Sequence, residues 1–190
     1  EPAILAEELG PFDATFHIPA FLEGGRTTEN GIHYLNGIPV HTTDFGHDNI
    51  FGFSTSNLAK WIEEKSFGKI QAKNILHVKI KQLDMAFNDE DGFESLLKFL
   101  SKLENNTSVV VDAKLPHHLE ILASAIKVVS KEKRFLFRTA ASFINSLSAL
   151  PPNPKCTADL VSLKSKNNEY KYKPGLIIVG SHVKLATDQL

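Results

Sequence analysis

The second half of the chain alternates between strand-like and helix-like segments, and this alternation limits the possible folds more than any other feature. Apolar strands and helices with one apolar face are predicted in turn, at 75–80, 90–104, 107–113, 116–131, 135–138 and 141–150. Strands that alternate with helices at this spacing are typical of parallel βαβ units. We therefore expect a Rossmann-like, three-layer α/β fold with a mainly parallel sheet.

The first part of the chain adds a β-hairpin to this pattern. A strand is predicted at 14–20, and a turn-rich loop follows it at 23–31. Asn36-Gly37 lies within the segment 33–40, and Asn-Gly between apolar residues predicts a hairpin because both turn positions need a positive φ. Pro39 cannot donate a ladder hydrogen bond, so we expect the second arm at a sheet edge.

Two short helices complete the prediction for residues 1–150. One covers 2–9 and ends before Gly10-Pro11, because proline cannot continue a helix. The other covers 56–64, with the Ser54 hydroxyl as its expected cap.

The composition changes after residue 150. Residues 151–174 contain four prolines and a polar, basic run, which predicts a linker. The apolar run at 175–179 and the residues after Gly180-Ser181 predict a strand followed by a helix. One such unit cannot cover both faces of a sheet, so we expect 175–190 to belong to an incomplete second α/β domain.

The charge balance and the cysteine count exclude several classes of protein. The net charge of −1 gives no overall field that would attract nucleic acid or an anionic membrane, so neither partner is expected. No apolar run reaches the length of about 18 residues that a membrane span needs. Cys156 is the single cysteine, which excludes an internal disulfide and a cysteine-based zinc site. A reducing, cytoplasmic location is expected.

The segment Gly24-Gly25-Arg26-Thr27-Thr28 is a candidate anion site. It follows the predicted strand 14–20, and ligands of open α/β sheets bind beyond the carboxyl ends of strands. Glycine lets backbone N–H groups approach an anion, and arginine offers a planar fork to a carboxylate or phosphate. The alternative is an ordinary surface loop with a solvated arginine.

Val179-Gly180-Ser181-His182 is a second candidate, because it forms a predicted strand-to-helix turn. The N–H groups at a helix N-terminus attract phosphate, and the Ser181 hydroxyl could reach the same group. The alternative is a plain serine cap.

Four other features are weaker candidates. His117-His118 could form a metal pair, but adjacent helical residues point apart, so the sequence favours a solvated surface. Asp112 is either a site residue or a helix-capping carboxylate. A turn role is the simpler interpretation of Asp48 in His47-Asp48. Cys156 lies in the predicted linker and is expected to be unreactive.

Five segments, in the same order, resemble the four-carbon acid sugar kinase family. The family's P-A-F-x-x-x-G-R-T segment is present from Pro19 to Thr27, and a hairpin and a His-Asp element follow it. The remaining segments correspond to Val110-Val111-Asp112-Ala113, to Phe137-Arg138-Thr139-Ala140-Ala141-Ser142-Phe143, and to Gly180-Ser181 with Thr187 and Gln189-Leu190.

The resemblance implies an ATP-dependent kinase that phosphorylates threonate, erythronate or a 3-oxo-tetronate, with Mg²⁺ at the phosphates. It places 1–150 in the later part of the sugar-acid-binding domain and 175–190 at the start of the nucleotide-binding domain. The residues implied to bind the sugar acid are Gly25, Arg26, Thr27 and Asp48. Those implied to bind ATP are Gly180, Ser181 and Thr187.

The resemblance leaves the catalytic base unassigned. The family's A-D-D-(L/F)-T-G-A and K-x-D-S-T-L-R-G motifs have no counterpart here, and the chain begins with Glu1-Pro2. We therefore expect a partial, inactive segment of the kinase. A non-catalytic small-acid-binding domain is the alternative, and the oligomeric state stays open.

Overall fold

The structure is a computed structural model that describes residues 2–149. The predicted linker at 151–174, the predicted strand–helix unit at 175–190 and Cys156 lie outside the described residues. The described helices and strands follow in chain order: α1 (Pro2–Leu9), β1 (Ala14–Ile18), β2 (Arg26–Glu29), β3 (Ile32–Leu35), β4 (Ile38–Pro39), α2 (Leu58–Lys65), β5 (Leu76–Val78), α3 (Ile80–Asn88), α4 (Glu90–Ser101), β6 (Thr107–Val111), α5 (Pro116–Val129), β7 (Phe135–Thr139) and α6 (Ala141–Ser148).

A parallel sheet with the strand order β5-β6-β1-β7 forms the centre of the fold. Side chains alternate between its two faces along each strand. Phe16 and its same-face neighbours pack against buried leucines of α3, α4 and α5 and against Phe143 of α6. Val110 packs on the opposite face against Leu58 and Ile62 of α2. Helices thus cover both faces, and the predicted three-layer α/β fold is confirmed.

A second, antiparallel sheet contains β2, β3 and β4 in that order. Asn36 and Gly37 have φ values of 49° and 79° and form the predicted turn between β3 and β4. Pro39 lies in the edge strand β4, as predicted. Thr28 and Ala113 exchange two backbone hydrogen bonds of 2.9 Å, which fixes this sheet beside the carboxyl end of β6.

Strand β2 lies within the segment that was predicted to be a loop, so that prediction is wrong. Arg26–Glu29 pairs with Ile32–Leu35 in an antiparallel register. The glycines and polar residues of this segment are typical of a loop and do not indicate a strand. Strand formation depends mainly on packing and pairing partners, which the local sequence does not show. Pairing with β3 therefore decides the local structure here.

The predicted strand 75–80 is too long, and the helix that follows it was missed. β5 ends at Val78, and α3 begins at Ile80. The Lys79 N–H donates to the Gln82 side-chain oxygen at 2.9 Å, which satisfies a donor at the start of the helix. The side chain of Gln82 thus favours a helix after Val78.

Helix α2 is capped by Asn57 and not by Ser54. The Asn57 side-chain oxygen accepts the Lys60 N–H at 3.0 Å, whereas the Ser54 hydroxyl donates to the Glu64 carboxylate at 2.5 Å. Within residues 2–149, no helix combines the length and apolar character that a membrane crossing requires.

Candidate functional site

A cavity of about 170 Å³ lies at the carboxyl ends of β1 and β7. His17 and Arg138 are registered neighbours on these two parallel strands, so their side chains project from the same face of the sheet. Arg26 of β2 and His33 of β3 line the same cavity. The central sheet and the antiparallel sheet therefore both contribute polar groups to one site.

The remaining wall of the cavity is mainly apolar. Thr55 and Ser56 add hydroxyl groups beside it, and the apolar lining comes from Pro19, Val40, Phe45, Phe53, Leu58 and Trp61. The Ser56 hydroxyl lies 2.7 Å from His41 Nδ1 and accepts the His41 N–H at 2.9 Å. An apolar pocket with a few convergent polar groups is the usual form of a small-molecule site.

The cavity has a positive electrostatic character. The charged side chains that line it are Arg26 and Arg138, and none of the described lining residues is acidic. Burial lowers the pKa of the Arg26 guanidinium, but an arginine stays protonated under physiological conditions. An anion that enters this cavity would meet two guanidinium groups in partly desolvated surroundings, where charge attraction is stronger than in water.

The two imidazoles of the cavity are neutral at physiological pH. Burial, together with the Arg138 charge, lowers the pKa of His17 to about 4. Burial, with the Arg26 charge, lowers the pKa of His33 to about 4. His33 Nδ1 lies 3.0 Å from the Thr28 hydroxyl. Each imidazole thus lies near a guanidinium and adds hydrogen-bonding capacity without adding charge.

Aromatic rings hold both guanidinium groups. The Arg138 guanidinium carbon lies 4.3 Å from the Trp61 ring centroid, and that of Arg26 lies 5.2 Å from the Phe21 centroid. Such cation–π contacts restrict the conformations of a long side chain.

The structure places Arg26 in the cavity but does not place Thr27 there. Arg26 and Thr28 share one face of β2, so the Thr27 side chain points to the other face. Gly25 ends a 3-10 turn at φ 69°, a left-handed conformation that suits glycine, and thereby directs the chain into β2. Gly180, Ser181 and Thr187 lie outside the described residues.

The backbone N–H groups of the glycine-rich turn are not available to an anion, contrary to the expectation. The Gly24 N–H donates to the Phe21 carbonyl at 3.1 Å, and the Gly25 N–H donates to the Leu22 carbonyl at 3.0 Å. The Arg26 N–H donates to the Phe21 carbonyl at 2.9 Å. An anion bound at this segment would therefore be recognised by the Arg26 side chain and not by the N–H groups of the turn.

Asp48 organises a turn of the segment that follows the antiparallel sheet. Its Oδ1 accepts the N–H groups of Ile50 and Phe51 at 2.8 and 2.7 Å, which is the turn role that the sequence favours. Asp48 does not line the cavity that holds Arg26.

Sequence reasoning missed His17 and Arg138 as candidates for this site. Both carry a signal that could have found them: each is a polar residue at the second-last position of a strand. Alternation predicts that such a residue faces away from the apolar core, and the strand-end rule places it near a ligand.

His117 and His118 do not form a solvated pair, so that prediction is wrong. His118 is 2% exposed, and the two Nε2 atoms lie 3.1 and 3.0 Å from Asp84 Oδ1. The Lys114 and Leu115 N–H groups donate to His118 Nδ1 at 3.1 and 3.3 Å. The Nε2 atom of the neutral ring therefore carries the proton and donates it to Asp84.

This cluster of Asp84, His117 and His118 has the composition of a metal site, but its hydrogen bonds argue against one. A metal on His118 Nε2 would require the proton on Nδ1, where two backbone N–H groups already point. Mg²⁺ also prefers oxygen ligands in octahedral geometry, so the two imidazoles fit it poorly.

Asp112 does not cap a helix. Its carboxylate accepts the N–H groups of Asn30 and Gly31, each at 2.9 Å, and His77 Nε2 lies 2.8 Å from Oδ1. Asp112 thus ties the turn between β2 and β3 to the end of β6.

The comparison with known families shows which family this chain belongs to. Residues 1–147 match the model of a family described as the sugar-binding N-terminal domain. The chain belongs to this family. The search of curated protein sequences found no match to this chain.

Solved structures of the DUF1537 family, the four-carbon acid sugar kinase family, share the fold of this sugar-binding domain, so the resemblance is confirmed. A Haemophilus influenzae member is 21% identical with a TM-score of 0.55, and the match covers 78% of this chain and 32% of that chain. A Bordetella bronchiseptica DUF1537 protein, a domain-swapped dimer with bound citrate, is 21% identical with a TM-score of 0.52, over 72% and 29% of the two chains.

A Salmonella typhimurium LT2 protein, provisionally named a tRNA synthase, is a third structural neighbour. It is 17% identical with a TM-score of 0.54, and the match covers 78% of this chain and 32% of that chain. The sugar-binding domain therefore spans about a third of the length of these neighbours.

Proposed function

We propose that the cavity of this sugar-binding domain holds a small sugar acid, as the substrate-binding part of an ATP-dependent four-carbon acid sugar kinase. The observation that carries this proposal is the pair Arg26 and Arg138 in a cavity without an acidic lining residue. Arginine forms bidentate, charge-assisted hydrogen bonds with carboxylates. The carboxylate of the sugar acid would therefore bind between the two guanidinium groups.

The size of the cavity supports a small ligand. Its volume of about 170 Å³ lies below the range of about 300–1,000 Å³ that is usual for drug-sized ligands. Threonate, erythronate and 3-oxo-tetronate are four-carbon acids whose hydroxyl or keto groups would face His17, His33, Thr55 and Ser56. The Bordetella relative with bound citrate supports a hydroxylated carboxylic acid as the ligand class.

The kinase reaction needs ATP as the donor of the phosphoryl group, and a hydroxyl of the sugar acid as its acceptor. Gly180, Ser181 and Thr187 stay the predicted contacts for ATP, with Mg²⁺ at its phosphates. The part of this reaction that the cavity would perform is to position the acid. Phosphoryl transfer depends mostly on such positioning and on charge stabilisation.

Calorimetric titration of the 190-residue chain with potassium threonate, erythronate and 3-oxo-tetronate tests the binding step. We expect at least one of these acids to bind, and Arg26→Gln to weaken its binding roughly 30-fold or more, because a buried carboxylate loses a charged partner. Arg134→Gln is the matched control, since the Arg134 guanidinium packs on the Phe12 ring and lies outside the cavity lining. Equal losses in the two variants would contradict the assignment of Arg26.

Measurement of ADP release in the presence of ATP, Mg²⁺ and the bound acid tests the kinase step separately. Formation of ADP that depends on the acid would contradict the expectation that this chain is an inactive segment of the kinase. Binding of the acid without ADP release is the result expected of the substrate-binding part, and of the alternative small-acid-binding domain as well.

A further inference from the structure

His17 is a buried polar side chain without a hydrogen-bond partner. The residue is 5% exposed, and neither Nδ1 nor Nε2 has a partner among the residues that the structure describes. Most buried polar side-chain atoms in proteins are hydrogen-bonded, because an unpaired one loses its interaction with water and gains nothing in return. An unpaired imidazole therefore needs a physical explanation.

The position of His17 supplies an explanation that involves a ligand. His17 lines the cavity with Arg26 and also lines an adjacent cavity of about 330 Å³. The two cavities share His17, Trp61 and Arg138. The buried, unpaired ring thus lies in the wall that these two cavities share, beside the Arg138 side chain.

The chemistry of the ring limits what it can recognise. Burial and the nearby Arg138 charge keep His17 neutral at physiological pH. A neutral imidazole has one N–H donor and one acceptor nitrogen, so it cannot form an ion pair with a carboxylate. A hydroxyl group, which both donates and accepts, is a suitable partner for either nitrogen.

We propose that His17 is a specificity-determining residue that hydrogen-bonds a hydroxyl group of the ligand, so that the site selects hydroxy acids over unsubstituted carboxylic acids. This inference rests on the proposed function, since the carboxylate is held by Arg26 and Arg138. In this proposal the two arginines bind the carboxylate of the ligand, and His17 forms a hydrogen bond with a hydroxyl group on the neighbouring carbon chain.

The test compares D-threonate with butyrate, a four-carbon acid without hydroxyl groups, by calorimetric titration of the 190-residue chain at pH 7.5. We expect the wild-type protein to prefer threonate. His17→Phe preserves a planar ring but has no polar atom, so it should weaken threonate binding about tenfold, the effect of one buried hydrogen bond. It should leave the affinity for butyrate unchanged.

His17→Gln supplies a side chain that again donates and accepts hydrogen bonds. We expect this variant to recover part of the preference for threonate, which a merely structural role of His17 would not produce. It also keeps the test decisive if His17→Phe does not fold, since threonate binding by a folded His17→Gln protein is compared directly with the wild type.

Three outcomes would overturn the proposal, and they differ in meaning. Equal affinity of the wild-type protein for threonate and butyrate, or an equal loss of both in His17→Phe, would show that His17 does not recognise a hydroxyl, while the carboxylate site would stand. Failure of the wild-type protein to bind butyrate and any of the three sugar acids (threonate, erythronate and 3-oxo-tetronate) would overturn the proposed function itself and the inference with it.

Discussion

The Asp112 carboxylate stabilises the fold through a turn that is distant in sequence. It is 1% exposed and receives N–H donors from Asn30 and Gly31 on two different oxygens. The N–H groups of a tight turn have no strand partner, so a buried carboxylate is an effective acceptor for them. This residue connects the antiparallel sheet, which carries Arg26 and His33, to the central sheet.

We expect Asp112→Asn to destabilise the protein by about 2–3 kcal/mol, because the amide nitrogen places a donor against a buried N–H donor. Urea denaturation followed by circular dichroism measures this change. Asp91→Asn, at an exposed position in the first turn of α4, is the matched control. A similar small effect of both substitutions would contradict the role of Asp112.

His118 acts as a hydrogen-bond acceptor at the start of α5. Its Nδ1 accepts the Lys114 and Leu115 N–H groups, and its Nε2 faces Asp84. The ring therefore cannot offer a free nitrogen to a metal ion without the loss of these contacts.

For this reason, ZnCl₂ at about 1 mM should leave the free energy of unfolding unchanged within about 0.5 kcal/mol. A site with a dissociation constant of about 10 μM would add about 2.7 kcal/mol at that concentration. Thermal unfolding with and without zinc measures the effect, and Asp84→Asn controls for weak binding elsewhere. Stabilisation that Asp84→Asn abolishes would show a metal site after all.

At the scale of elements, the turn before β2 decides where Arg26 points. Gly25 has a φ of 69°, and a Cβ at this position would overlap the Asn36 side-chain oxygen. The Asn36 N–H donates to the Gly25 carbonyl at 2.8 Å. The turn before β2 and the turn between β3 and β4 thus fit together, and each restricts the other.

Gly25→Ala should therefore destabilise the protein by about 2 kcal/mol, of which about 1 kcal/mol is the cost of a positive φ for alanine. The double variant Gly25→Ala/Asn36→Gly removes the overlap and should recover the remainder. Denaturant unfolding of the three proteins measures both effects. An equal stability of the single and double variants would show that only the backbone conformation matters.

The sequence predicts the elements that have a local residue pattern. It does not predict an element whose structure depends on pairing with another strand or on packing. The strands at Ala14–Ile18 and Thr107–Val111 were predicted from their apolar runs, as was the turn at Asn36-Gly37. Strand β2 could not be predicted in this way, because its polar residues become a strand only by pairing with β3. The start of helix α3 could not be predicted either, because a short apolar run does not show where a strand ends and a helix begins.

The candidate site was predicted in part, because its residues come from separate parts of the chain. Arg26 was found from its place after a strand. His17 and Arg138 became visible as one site only when β1 and β7 were seen to be adjacent and in register. Residue types alone do not give this adjacency.

At the scale of the whole molecule, buried neutral histidines make the stability depend on pH. The pKa of His17 and that of His33 are lowered to about 4 by burial, from an unfolded value of about 6.5. Below pH 6.5 the unfolded chain binds more protons than the folded protein, so stability falls as the pH decreases toward 4. The lowered pKa values of Asp13, Asp84 and Glu23 add a further loss at more acidic pH.

We expect the free energy of unfolding to fall by about 2 kcal/mol for each of these two histidines between pH 7 and pH 5. His17→Gln removes one titrating group, so its loss of stability over this range should be smaller than that of the wild type by about 2 kcal/mol. Urea denaturation at several pH values measures the difference. Parallel pH profiles of the two proteins would contradict a buried, neutral His17.

Trp61 is the single tryptophan of the chain, and its indole forms part of the cavity wall beneath the Arg138 guanidinium. Indole emission is sensitive to nearby charge and to water. The protein therefore carries a native optical reporter at the place where a ligand would displace solvent and shift a guanidinium. Occupancy can be followed by intrinsic fluorescence, without a dye and without a second tryptophan to obscure the signal.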